Sequence, residues 1–252
     1  MTAVLIFILG LICGSFLNAV IFRLKAGEQF IKGRSKCPAC ARPLGFWDLI
    51  PIFSFVFLKA KCRYCRQAIS WQYPAVELFT GLVFLAGYFK YLAGGGLSQW
   101  PQLAVFLVLA CFLTVILVYD LRYYLILDKV SLPALAAALL FNFLLGKSVL
   151  NMLFAAAVVA GFFLLQFIVS KGKWIGGGDI RLGLVVGAML GWPEVLPALL
   201  LAYVLGSVVG LCLVALKKKR WKSEMPFGTF LSFTAIISLL WSEGIIRWYL
   251  GF

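Results

Sequence analysis

The sequence predicts an all-α polytopic membrane protein, with about eight transmembrane helices and one small cysteine-bearing loop domain. Three observations carry this. Of the 252 residues, 63% are hydrophobic and only 13% charged, and the mean hydropathy is +1.03, outside the range of water-soluble domains. Apolar runs long enough to cross a hydrocarbon core of about 30 Å recur along the whole chain. The basic residues are bunched between those runs instead of spread along them.

The runs place helices at about 3–22, 73–92, 102–119, 130–146, 149–169, 180–193, 195–216 and 227–246. The first run, from Thr2 to Phe22, has no basic residue ahead of it and no small-residue cleavage site, which reads as a retained helix and not a signal peptide. Eight spans leave both termini on one side of the membrane. The loop 23–66 then carries ten Lys and Arg, among them Lys32, and further connections on that side include Arg122, Lys129, Lys171, Arg181, Arg220 and Lys222. Only Lys90, Lys147 and Arg247 of the 23 Lys and Arg fall opposite. Positive charge marks the cytoplasmic face, so the long loop is expected inside and both termini outside. Topology accounts for the net charge of +14, and no nucleic-acid partner is expected.

The loop reads RSKCPACARPLGFWDLIPIFSFVFLKAKCRYCRQAIS, with the pairs Cys37/Cys40 and Cys62/Cys65 separated by 21 residues. Two such pairs close a tetrahedral thiolate shell around zinc or another soft metal. Two disulfides or unpaired thiols are the alternatives, and a reducing cytoplasm disfavours the first. A loop of this size holds too little core to be stable alone, so the metal is expected to supply folding energy. Cys13, Cys111 and Cys212 fall in apolar helices and read as packing residues.

Of nine acidic residues, Asp120, Asp128 and Asp179 are the informative ones. Glu77, in YPAVELFTG, reads as a helix cap or the partner of an arginine. Asp120 ends the third span, and Asp179 opens the sixth behind Gly176, Gly177 and Gly178. Both fall at the cytoplasmic membrane boundary, where ionisable side chains mark function. Two carboxylates in one site share a proton and activate water against a peptide carbonyl. The glycines admit extended backbone close to Asp179. The plainer alternative is that Asp179 caps its helix; Asp120 on the same face, and PFG at 226–228 on another boundary, weigh against it.

These segments together resemble the type IV prepilin peptidases, membrane aspartyl enzymes of the GxGD class that also act as N-methyltransferases. The resemblance runs through GSFLNAVIFRL at 14–24, RSKCPAC, KCRYC, ISWQYPAVELFTG at 69–81, DLRYYLILD at 120–128, GGGDIRL at 176–182 and PFGTF at 226–230. It implies a catalytic pair Asp120 and Asp179, supported by Gly176, Gly178, Arg181 and Asp128, with Glu77 near the methyl acceptor. It also implies type IV pilin or pseudopilin precursors as substrates, cut after a glycine on the cytoplasmic face of the bacterial inner membrane. S-adenosylmethionine would be the methyl donor, zinc the structural metal, and membrane lipid the surroundings. The parts would be a first helix at 1–22, a methyltransferase-associated loop at 23–72 and a peptidase bundle at 73–252. Leu127 stands where the family commonly has proline, Arg181 where it has lysine, and WDLIP where it often has DNIP. A GxGD peptidase without methyl transfer, and a membrane scaffold without activity, are the alternative readings.

Overall fold

The computed structural model describes residues 1–29, 33–93, 97–219 and 223–250. Lys32, Arg220 and Lys222 of the charge pattern lie outside the described residues. Among those described, no β-strand is present, only two isolated bridges. The helices are α1 (Thr2–Ala26), α2 (Phe53–Phe57), α3 (Gln72–Tyr88), α4 (Trp100–Tyr123), α5 (Asp128–Leu144), α6 (Val149–Ser170), α7 (Gly177–Leu190), α8 (Val195–Ala215) and α9 (Phe227–Leu250).

All eight expected helices are present. Six are long and apolar enough to cross a membrane, namely α1, α3 with its π-turn extension to Ala93, α4, α6, α8 and α9. At 17 and 14 residues, α5 and α7 rise only about 26 and 21 Å, short of a full hydrocarbon core. The chain is therefore a multi-pass membrane protein, in which α5 and α7 are shorter than the other six long helices.

The chain divides into two compact units, Met1–Leu103 and Ala104–Phe252. In the first, α1 and α3 pack along their lengths. Small residues set the closeness: a Cβ on Gly10 would lie 2.7 Å from the Gly81 Cα, and one on Gly14 2.7 Å from the Glu77 Cα. Backbones that approach this far forgo side chains to gain dispersion contact, the usual device where water supplies no driving force. α1 ends at Gly27, whose φ of 69° forms a left-handed cap with its N–H on Leu24.

In the second unit, α7 is the most deeply packed helix, with Leu182, Val185, Val186, Ala188 and Met189 fully buried. Its Gly187 lies so close to α6 that a Cβ would reach the Ala156 Cα at 2.5 Å. Asn142 of α5 donates to the carbonyls of Ala188 and Met189 at 3.1 and 3.0 Å, satisfying two acceptors at the end of α7. α8 faces outward along most of its length, with Leu200, Val204, Val208 and Leu211 exposed, as a lipid-facing helix should be. Cys212 is also exposed on α8, contrary to the expectation of a packing residue.

Candidate active site and metal centre

The metal site forms from two copies of one turn. In the first, Cys37 N–H donates to Arg42 O at 2.9 Å and Ala41 N–H to Cys37 O at 2.9 Å; in the second, Cys62 N–H donates to Gln67 O at 2.8 Å and Arg66 N–H to Cys62 O at 3.0 Å. Each turn places the residue after its second cysteine at positive φ, Ala41 at 56° and Arg66 at 60°, and each is closed by a bridge, Lys36 with Pro43 and Lys61 with Ala68. The four sulfurs converge within 4.8 Å of one another, with Cys37 and Cys65 at 3.9 Å. A tetrahedron of Zn–S bonds near 2.3 Å needs sulfurs about 3.8 Å apart, so the donor set fits a metal such as zinc. No cysteine is in a disulfide. The backbone N–H groups of Cys65 and Tyr64 draw the Cys62 thiol down to about 7, which favours the thiolate that a metal requires.

Asp48 joins this loop together. It accepts the N–H of Gly45 at 3.1 Å and Arg63 Nε at 2.6 Å, so the segment between the knuckles is tied to the second knuckle. Glu77 is neither a cap nor an arginine partner. It is buried, and its Oε2 accepts the N–H of Ile52 at 2.8 Å. Asn18 of α1 donates to Tyr73 O at 3.1 Å.

In the second unit Asp120, in the last turn of α4, and Asp179, third residue of α7, are both buried. They are close enough for their charges to interact. Asp179 is not the N-cap. That position is Gly176, whose N–H donates to Asp179 Oδ2 at 3.0 Å, in the manner of the returning half of a capping box. Asp120 Oδ2 accepts two bonds from Thr229 in the first turn of α9, from the N–H at 2.6 Å and from Oγ1 at 3.0 Å. Each carboxylate therefore has one oxygen fixed by a helix start. The Tyr203 ring of α8 lies tilted against Phe227, with ring centroids 5.0 Å apart.

The glycines beside the pair have a role that spacing did not reveal. A Cβ on Gly178 would meet Ile126 Cβ at 3.0 Å, and one on Gly228 would meet Ile126 Cδ1 at 2.8 Å and Asp120 Oδ2 at 3.1 Å. Ile126, in the connection from α4 to α5, is thus seated between the glycine of GxGD and the glycine of PFG. Arg181 and Asp128 form an ion pair between the starts of α7 and α5, both half-exposed. Thr229 and Ile126 were missed from the sequence; their adjacency to PFG and to DLRYYLILD was the available signal.

Two family models match, one within each unit. The Bacterial Peptidase A24 N-terminal domain matches residues 8–91, and the Type IV leader peptidase family matches 107–211. The Prepilin leader peptidase/N-methyltransferase of Bacillus subtilis (strain 168) is 35% identical over 98% of this chain and 97% of its own length. The chain belongs to the type IV leader peptidase family. Its Aeromonas salmonicida (strain A449) relative of the same name is 32% identical over 98% of this chain and 93% of its own, and that of Pseudomonas aeruginosa 32% over 97% and 92%. No solved structure matches.

Proposed function

We propose that this member of the leader peptidase family removes the leader of type IV pilin or pseudopilin precursors and methylates the new amino terminus. Cleavage follows a glycine at the cytoplasmic face of the inner membrane, with both chain termini outside; the distribution of Lys and Arg supports this orientation. The observation that carries the peptidase is the pair of buried carboxylates, each pinned through one oxygen to a helix start.

Asp120 and Asp179 act as the catalytic pair. With one proton shared between them, the ionised carboxylate takes a proton from water as its oxygen attacks the scissile carbonyl, and the protonated one gives its proton to the carbonyl oxygen. Collapse of the tetrahedral intermediate returns a proton to the leaving amine. Gly176 and Gly178 allow the α7 start its close turn, and Arg181 with Asp128 ties that start to α5. The boundaries proposed for these tasks are 1–22 for the first helix, 23–72 for the methyltransferase-associated loop and 73–252 for the peptidase.

Cys37, Cys40, Cys62 and Cys65 hold zinc, which cross-links the loop. S-adenosylmethionine supplies the methyl group when bound. The buried polar side chains of the first unit, Asn18, Arg23, Glu77 and Thr80, are already bonded to Tyr73, Gly33, Ile52 and Val76. Among the described residues they leave no orphaned polar set to cradle that donor, and no step is assigned to them. Mass spectrometry of a pilin precursor incubated with the protein, with and without S-adenosylmethionine, tests the reading. Leader loss in both samples and one added methyl only with the donor is expected; an intact precursor in both would overturn it.

A further inference from the structure

Between the two knuckles, the segment FWDLIPIFSFVF exposes more apolar surface than a water-facing loop should. The exposure has a face. In α2, Phe53, Val56 and Phe57 are 61%, 65% and 81% exposed, and their i, i+3, i+4 spacing puts them on one side of the turn. Phe55, on the other side, is buried and packs edge-on against Trp71 at 4.9 Å. Trp71 immediately precedes α3, one of the spanning helices. The short helix is thus clipped to the mouth of a span by one face and presents the other outward.

Its depth follows from Glu77. The N–H of Ile52, just before α2, is bonded to Glu77 Oε2, and Glu77 is the sixth residue of α3, about 8 Å along the helix from its start. The side chain leans back toward the helix start, so Ile52 sits level with the first two turns of the span. Water is scarce at that level, and an N–H without a partner there is costly. A buried glutamate supplying that partner, at a β-branched residue held at φ 61°, is explained by a backbone that must stay there.

We propose that Ile52–Leu58 lies in the headgroup–acyl boundary of the bilayer, with Phe53, Val56 and Phe57 inserted among the lipid chains. Aromatic side chains favour this boundary, and both ends of the loop emerge from membrane-spanning helices. Lys59 and Lys61, exposed directly after it, complement anionic headgroups. The loop is then partly a membrane-bound element, and Glu77 is the anchor that holds it.

The test places a photoreactive residue, Phe57→p-benzoylphenylalanine, in the full chain reconstituted into phosphatidylethanolamine–phosphatidylglycerol vesicles, with Arg66→p-benzoylphenylalanine as the water-facing control and a pilin precursor added. After irradiation, phospholipid adducts at position 57 and none at position 66 are expected. Cross-links from position 57 to the precursor or to a second copy, equal lipid labelling at both positions, or no adduct at 57 would each overturn the proposal. Val56→p-benzoylphenylalanine gives the same reading if the Phe57 variant does not fold.

Discussion

Asp120 and Asp179 differ in how they are held, and the difference is testable. Asp179 takes one backbone donor from the glycine turn, whereas Asp120 takes both the N–H and the hydroxyl of Thr229. A hydrogen bond to a charged group contributes about 1.5–3 kcal/mol, so Thr229→Val, which keeps shape and backbone donor, should lower kcat about tenfold with KM little changed, and Thr229→Ser should restore it. Steady-state cleavage of a precursor peptide measures this. The aspartates themselves were legible in the sequence, because a carboxylate among apolar residues needs a reason. Thr229 was not, since a threonine at a helix start is ordinary and only the close approach of α9 to α4 gives it a task. Glu77 was legible as unusual yet misassigned, because its partner is a backbone N–H 25 residues away. The Arg181–Asp128 pair is half-exposed on both sides, and such pairs contribute about 0–1 kcal/mol; it orients the start of α7 more than it stabilises it.

At the scale of elements, the helices were readable to within a few residues from apolar length and breakers. The lengths of α5 and α7, 17 and 14 residues, match those of the runs expected at 130–146 and 180–193. The close helix pairs also had a signal in GLICG at 10–14 and GLVVG at 183–187, the four-residue spacing of small side chains. Gly187→Ala forces a Cβ into the Ala156 backbone. Overpacking of this kind costs about 1–3 kcal/mol, visible as a lower unfolding temperature in detergent. The knuckles were legible as cysteine pairs, and their shared turn geometry gives the metal a preformed shell. The backbone donors that draw Cys62 down to about 7 are offset at its neighbour Cys65, which is pushed up to about 11, so binding four thiolates must displace protons at neutral pH. Zinc uptake by the metal-stripped protein should therefore strengthen as pH rises from 6 to 8. Chelation should expose 33–71 to protease, and equal uptake at both pH values would contradict the assignment.

For the molecule as a whole, each family match falls within one compact unit, 8–91 in the first and 107–211 in the second. Both proposed activities can therefore be read separately in one chain. The proposed catalytic pair lies in the second unit and the four-cysteine cluster in the first, so damage to one should leave the other measurable. The central claim is that Asp120 and Asp179 cut the precursor. The most direct measurement is mass spectrometry of two substrates, an intact precursor and the same pilin already freed of its leader, each incubated with S-adenosylmethionine and the Asp179→Asn protein. The account predicts an uncut precursor and a methylated mature pilin. A precursor cut at the wild-type rate would contradict it.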